Sequence, residues 1–415
     1  CACEDVLRHL RDKLHCLYSD HDRFWLDTKA NLRREMESRK QTVSDRDELL
    51  PLLKNRVNSA FGRNHSFAGI HIFTPSVDVP DDYGVGLRLV VLPVDAAYSR
   101  AEANAAYKAA EKILRNRGEQ PRQRQNRLVF LAPDFDVISR LKDLGRTYLA
   151  WSSIVRDIES GALNQDVSHL NQAKKNREDA EKTLRQLVRE AWKWLLAPYE
   201  SFEKGAPVLG WESQMISPAA PSLVEAIEQK LREEEWLITQ WSPIHLNNLL
   251  KQWYFKNGTQ EVGAAKVWQD SCHYLYMPRL QNDKVLWEAI GEGVRTQDFF
   301  AFASGKEGGE YLGFAFGRNA IASLDDYSLL ISKEAAEAYA DALKAAETVG
   351  RPTIEQTDTP PTADTGGGEV VVNGPVGGAY APTSAPAAKT QFYGTVELEP
   401  ISASMQFSDI MAEII

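Results

Sequence analysis

Residues Asn126 to Val155 read NRLVFLAPDFDVISRLKDLGRTYLAWSSIV, and the fold of the chain turns on how they are understood. Leu128 to Ala132 is an unbroken apolar run closed by Pro133 and Asp134. A run without polar alternation marks a strand covered on both faces, as in a sheet sandwiched between helices. After Asp134 the spacing changes. Ile138, Leu141 and Leu144 recur every three residues, which predicts a helix, and a second apolar segment follows around Leu149, Trp151 and Ile154. A strand that ends in a Pro-Asp turn and feeds a helix is half of a βαβ unit. In nucleotide-handling α/β domains such strand ends carry polar side chains to the site, so Asp134 and Asp136 are candidates. The plainer reading, a turn and a helix cap, accounts for the same two residues and carries more weight.

Working outward toward the N-terminus, Leu87 to Leu92 is a second strand candidate and Gly69 to Phe73 a third. Ser99 with Glu102 three residues on has the form of a capping box, opening an Ala-rich helix that runs to about Arg115. Strand, helix and strand Leu128 to Ala132 together make a βαβ unit, which favours a parallel pair with a right-handed crossover. Between that helix and strand lies RNRGEQPRQRQNR, with Arg115, Arg117, Arg122, Arg124 and Arg127 against one acid, Glu119. Arg forks suit phosphate, of a nucleic acid or of a nucleotide on a neighbouring subunit. A basic loop without a ligand is the other reading, and both stand open.

Further upstream, a helix is expected over Asp45 to Phe61, and Asp5 to Leu14 has the spacing of an amphipathic helix. HCLYS and RFWLD flank Asp20-His21-Asp22 as two strands of a hairpin, so residues 1–45 read as a winged-helix-like module. The helix that follows carries Arg33, Arg34, Arg39 and Lys40, which would suit a duplex backbone. Glu35 and Glu37 interleave with them, as on an ordinary solvated face.

Downstream, Leu170 to Leu196 carries Ala173, Ala180, Leu184, Leu187, Ala191 and Trp194 on one face, predicting a long helix stopped by Pro198. The organisation expected is α/β and α+β, multidomain. An α/β domain over 46–165 is followed by the long helix over 166–197 and a linker over 198–221. A helical winged-helix-like domain, 222–350, opens on the capping box Ser222 and Glu225 and contains a hairpin around Lys306 to Glu310. A disordered linker, 351–390, leads to a tethered C-terminal strand-helix, 391–415, marked by alternating Phe392, Gly394, Val396 and Leu398. The aromatic side chains of 222–350 (Trp236, Trp241, Trp253, Tyr254, Trp268, Trp287) follow helical spacing and are expected in the core.

The bulk properties narrow the function classes. A length of 415 residues suits roughly two to three domains. A net charge of −10 argues against a uniformly basic nucleic-acid coat. Four cysteines without metal-ligand spacing suit a reducing cytoplasm, and no apolar run reaches a membrane span, so no membrane partner is expected. The sequence contains no GxxxxGK[ST] loop, no GxSxG elbow and no HExxH pair, so it presents no self-contained catalytic site. It begins at Cys1 rather than Met, which suggests a fragment.

Several stretches in order, LYSDHDRFWLDTKANLRREMESR, NRLVFLAPD, TYLAWSSI, AWKWLLAP, YLYMPRL and FYGTVELEP, resemble the C-terminal portion of a bacterial AAA-like ATPase family, the domain of unknown function four-nine-nine. Its members occur beside adenine-type DNA methyltransferases and helicases in anti-phage gene clusters. The resemblance implies that ATP and magnesium are bound in an N-terminal region of the parent-type protein, and that this chain supplies what lies beyond it. Two expectations follow. One is an accessory region contacting DNA through Arg115 to Arg127 and Arg33 and Arg34. The other is a scaffold docking a DNA methyltransferase or helicase of the same cluster, with homo-oligomers also possible.

Overall fold

The computed structural model describes residues 6, 17–20, 23–26, 31–62, 64–83, 86–101, 104–217 and 220–349. The expected helix over Asp5 to Leu14, apart from Val6, the linker after residue 350 and the C-terminal strand-helix lie outside these residues. The chain is of mixed α/β class.

The apolar run after Asn126 is the central strand of a five-stranded sheet. Strands β1 (Leu17–Asp20) and β2 (Arg23–Leu26) form the expected N-terminal hairpin, with Asp20 opposite Arg23. Then come α1 (Leu32–Thr42), a π-helical turn over Asp45–Leu49, and α2 (Leu50–Phe61). Next are β3 (Gly69–Ile72), β4 (Arg88–Val91) and α3 (Ala105–Arg115), the short pair β5 (Asn116–Arg117) and β6 (Gln120–Pro121), and β7 (Leu128–Pro133). Two long helices follow, α4 (Phe135–Glu159) and α5 (Val167–Ala191), and then β8 (Trp192–Glu203) and β9 (Ala206–Met215). The sheet order is β3-β4-β7-β8-β9. The expected parallel pair is present, with Arg88 opposite Leu128 and Val91 opposite Leu131, and β3 joins it in parallel.

Every residue of β7 is buried, and alternation sends its side chains to two different cores. Val129 and Leu131 join Leu89 and Val91 under α2, α4 and α5. Leu128, Phe130 and Ala132 join Val90 and Leu92 under Ala106, Ala110 and Leu114 of α3. Each large side chain so enclosed contributes roughly 1.5–3 kcal/mol, which is why the run tolerates no polar residue. Beyond the sheet, α1 lies on the α4–α5 hairpin through Leu32, Met36, Trp151, Ile154 and Ala173. Arg39 bonds Ser153 and Asp157, each at 2.6 Å, so part of the basic face of α1 is turned inward.

Three expectations change. The helix that was to end at Pro198 stops at Ala191, and the segment expected as a linker over 198–221 is largely the β8–β9 hairpin. The reason is the partner strand. Leu195 and Leu196 stand opposite Leu131 and Phe130, so the chain gains more by extending β7 than by another helical turn. Secondly, α3 is capped by Asn104, whose side chain accepts from Ala106 N at 3.0 Å and donates to the Ser99 carbonyl at 2.7 Å. Thirdly, α6 (Leu223–Glu233), assigned in advance to the second domain, buries Leu223, Val224, Ile227 and Leu231 in the α/β core. Its cap is as expected, since Ser222 Oγ accepts from Glu225 N at 3.1 Å.

The second lobe holds α7 (Pro243–Trp253), β10 (Glu261–Gly263), α8 (Ala264–His273), α9 (Asp283–Gly293) and β11 (Phe300–Ala303). The expected hairpin is β12 (Gly305–Glu307) with β13 (Glu310–Leu312), and β14 (Leu329–Ser332) and α10 (Lys333–Val349) close the lobe. β14 lies between β10 and β11, over the core of Leu250, Leu286, Ile290 and Phe302. Among the described residues no helix is long and apolar enough to cross a membrane.

Candidate functional site

The arginine-rich segment is knit into the molecule rather than projected from it. Its fixed framework is the turn over Ser76 to Asp81. Arg122, 1% exposed, sends Nε to the Ile113 carbonyl at 2.9 Å, Nη1 to that of Pro80 at 2.7 Å and Nη2 to that of Val79 at 3.0 Å. Carbonyl oxygens satisfy the guanidinium, and burial holds its pKa below the ordinary value. Asp81 accepts the backbone N–H groups of Gln123 and Arg124, each at 2.8 Å. Arg124 lies over the Tyr83 ring at 4.3 Å.

Arg127 and its neighbours join the two lobes. Arg127 is 3% exposed and reaches the carbonyls of Leu280 at 2.6 Å and Gln281 at 3.0 Å, with Trp268 5.2 Å away. Asn126 donates to the carbonyls of Ser271 and Met277 at 2.9 and 3.0 Å. Arg279 answers from the second lobe, bonding the carbonyls of Asn126, Trp236 and Pro198 at 3.1, 3.2 and 2.8 Å. Burial lowers the Arg279 pKa to about 10, with the charge of Arg127 adding to the effect.

The remaining predicted residues separate in space. Arg115 is half-buried, 4.0 Å from Glu111 and 3.8 Å from Glu200. Arg117 is exposed and bonds the Val77 carbonyl at 3.2 Å. On α1, Arg33 is exposed and Arg34 half-buried. Of the seven arginines, only Arg33 and Arg117 stand exposed to solvent.

The convergent polar side chains lie elsewhere, at the carboxyl end of β4 and β7. Tyr98 runs alongside Asp134, its N–H bonding the Pro133 carbonyl at 2.7 Å and its carbonyl accepting from Phe135 N at 3.0 Å. The Trp192 indole donates to the Leu92 carbonyl at 2.9 Å, fixing the start of β8 against the end of β4. Asp134 is the helix cap that the sequence suggested, accepting from Asp136 N at 3.1 Å. It is also more than a cap, for its other oxygen pairs with Lys193 on β8. Around this pair opens a cavity of 440 Å³, lined by Tyr98, Ser99, Arg100, Asp134, Asp136 and Lys193 among others. The Trp194 indole N–H, buried on its wall, has no acceptor among the described residues. Tyr98 OH and Ser213 Oγ are 2.9 Å apart, and Tyr98 packs on Trp194 with ring centroids 4.3 Å apart.

Ligands of open α/β sheets settle at the carboxyl ends of the parallel strands, where loops and helix N-termini converge. The arrangement here gathers the paired Asp134 and Lys193, Asp136, Arg100 and an indole N–H around one cavity. Sequence reasoning found Asp134 and Asp136 but missed Lys193 and Arg100. Lys193 was placed on a helix, and only the turn into β8 brings it to Asp134.

No family model matches the chain, and neither a curated protein nor a solved structure matches it.

Proposed function

We propose that the chain is the accessory, partner-facing region of a cytoplasmic ATP-driven protein of bacterial phage defence. In this reading it acts as a rigid docking platform for a DNA methyltransferase or helicase of the same gene cluster. ATP and magnesium are then handled by parts of the parent protein that this chain does not contain. In the same reading the hairpins β1–β2 and β12–β13 serve as wings of two winged-helix-like modules.

The observation that carries this reading is an array of aromatic rings across the joint between the lobes. Phe202 on β8 meets Trp253 and Tyr276 of the second lobe at 6.0 and 5.5 Å between centroids. Trp253 and Tyr276 stand 4.5 Å apart, and Tyr274 stacks on Tyr276 at 5.1 Å. Phe202 is 49% exposed and Tyr274 37%. Aromatic side chains present large area at small entropic cost and anchor protein interfaces, and the arginine joint beside them keeps this set in register. Of the rings that helical spacing assigned to the core, Trp236 and Trp241 are buried and Trp253, Tyr254 and Trp268 pack partly buried against it, whereas Trp287 is exposed; Trp253 reaches Phe202 from the edge of that core.

The test is co-purification of the chain with the methyltransferase or helicase partner after nuclease treatment. The complex is expected to survive nuclease and to be lost in the double substitution Phe202→Ser, Tyr274→Ser, with the fold retained by circular dichroism. A complex that dissolves on nuclease treatment, and duplex binding that weakens on Arg33→Ala or Arg117→Ala, would replace docking by DNA contact.

A further inference from the structure

A second cavity, of 640 Å³, adjoins the Asp134 cavity and shares Lys193 and Met215 with it. Its charged lining is Arg185 and Arg189, one turn apart on α5, with Lys193 just beyond and Glu190. Of these cations, Lys193 is paired with Asp134 and Arg185 with Glu181, at 2.6 Å, each on a side chain outside the cavity lining, whereas Arg189 is held by backbone carbonyls alone among its described contacts. Glu190 is engaged too, accepting from Gln186, which also lines the cavity, at 2.9 Å and from Arg140, which does not, at 3.3 Å.

Arg189 is held in place beforehand. Its Nη2 donates to the carbonyls of Ala220 at 2.9 Å and Pro221 at 3.4 Å, fixing the guanidinium beside the start of α6, where Ser222 and Leu223 also line the cavity. The eleven-residue helix α6 directs the positive end of its dipole to the same place. The floor is different in character. Val137, Met215, Ile216, Leu223 and Ala226 are apolar, and Met215 is 50% exposed with no partner to cover it among the described residues.

We propose that this cavity binds a phosphorylated small molecule of nucleotide size. The phosphate would lie among Arg185, Arg189, Lys193 and the start of α6, with an apolar, ring-bearing portion on Met215 and Ile216. The volume falls within the roughly 300–1,000 Å³ of small-molecule sites. The floor separates this class from a bare anion, and the cationic wall separates it from an uncharged ring. The inference stands apart from the docking reading, since ligand binding is read on the chain alone and docking on a complex.

The experiment is isothermal titration calorimetry of the full chain with AMP, ATP, inorganic phosphate and adenosine. AMP and ATP are expected to bind, phosphate more weakly and adenosine not at all. Arg189→Gln should weaken AMP by about tenfold or more and Arg185→Gln by several-fold, as expected for the loss of charge-assisted hydrogen bonds. Lys333→Gln, on α10 and outside the cavity lining, should leave it unchanged. Arg185 is 71% exposed and pairs with Glu181, so its substitution keeps the test valid if Arg189→Gln does not fold. No binding of either nucleotide at millimolar concentration would overturn the proposal. Equal affinity for AMP in wild type and Arg185→Gln, or phosphate binding as tightly as AMP, would also overturn it.

Discussion

Replacing Arg127 by Met asks whether the arginine-rich segment is internal structure or an outward phosphate contact. The substitution keeps much of the stem volume and removes the charge. What is lost includes the hydrogen bonds from a guanidinium to the carbonyls of Leu280 and Gln281, and the face of Trp268. Bonds from a charged donor are worth roughly 1.5–3 kcal/mol each, and a desolvated cation over a ring adds about 2 kcal/mol. Against this gross loss stands the several kcal/mol that burying a guanidinium costs and the variant no longer incurs. Relief of repulsion on Arg279, whose proton Arg127 disfavours, acts in the same direction. The balance is a net destabilisation of about 2–4 kcal/mol. With a urea slope of about 3 kcal/mol/M the midpoint falls by about 1 M. Tryptophan fluorescence and far-ultraviolet circular dichroism should be followed together, because two lobes need not unfold in one step. A fall of less than about 0.2 M, the scale of a surface change, would refute the internal role. Loss of duplex binding without loss of stability would refute it more directly.

Other residues give independent checks. A Cβ on Gly145 in α4 would stand 2.5 Å from Leu49 Cδ1, and Leu49 is fully buried. Gly145→Ala should therefore destabilise by about 1–3 kcal/mol, although alanine is favoured over glycine by about 1 kcal/mol inside a helix; a raised melting temperature would contradict the close approach of the π-helical turn to α4. For His71, burial first, and then the charges of Arg88 and Arg122, hold the pKa below the ordinary 6.5. The unfolded chain therefore takes up more protons between that lowered value and 6.5. Stability falls as pH drops through this window and the loss levels off below the folded pKa. His71→Gln should flatten the urea midpoint between about pH 7 and about pH 5, and an unchanged profile would assign the slope to other groups. Trp192→Phe removes the donor to the Leu92 carbonyl and should cost about 1–3 kcal/mol, read by the same denaturation; a variant as stable as wild type would show that this bond does not hold β8 to β4.

The sequence by itself determined the elements whose reason is local. The unbroken apolar run Leu128 to Ala132 marked a doubly covered strand, and its helical crossover favoured a parallel partner in Leu87 to Leu92. The hairpin around Asp20 to Asp22, the Ser222 cap and the Asp134 cap were equally legible, because each depends on residues a few positions apart. Tertiary structure alone decided the rest. Ala197-Pro198 marks the end of a helix in any local reading, yet pairing with β7 turns Trp192 to Glu203 into a strand and brings Lys193 to Asp134. The arginines look alike in sequence, but Arg122 and Arg127 are enclosed while Arg33 and Arg117 are not. What separates them is which backbone carbonyls, from Ser76 to Gln281, the fold places within reach of each guanidinium. No spacing along the chain encodes that proximity, since the carbonyl partners of Arg127 lie more than a hundred residues away.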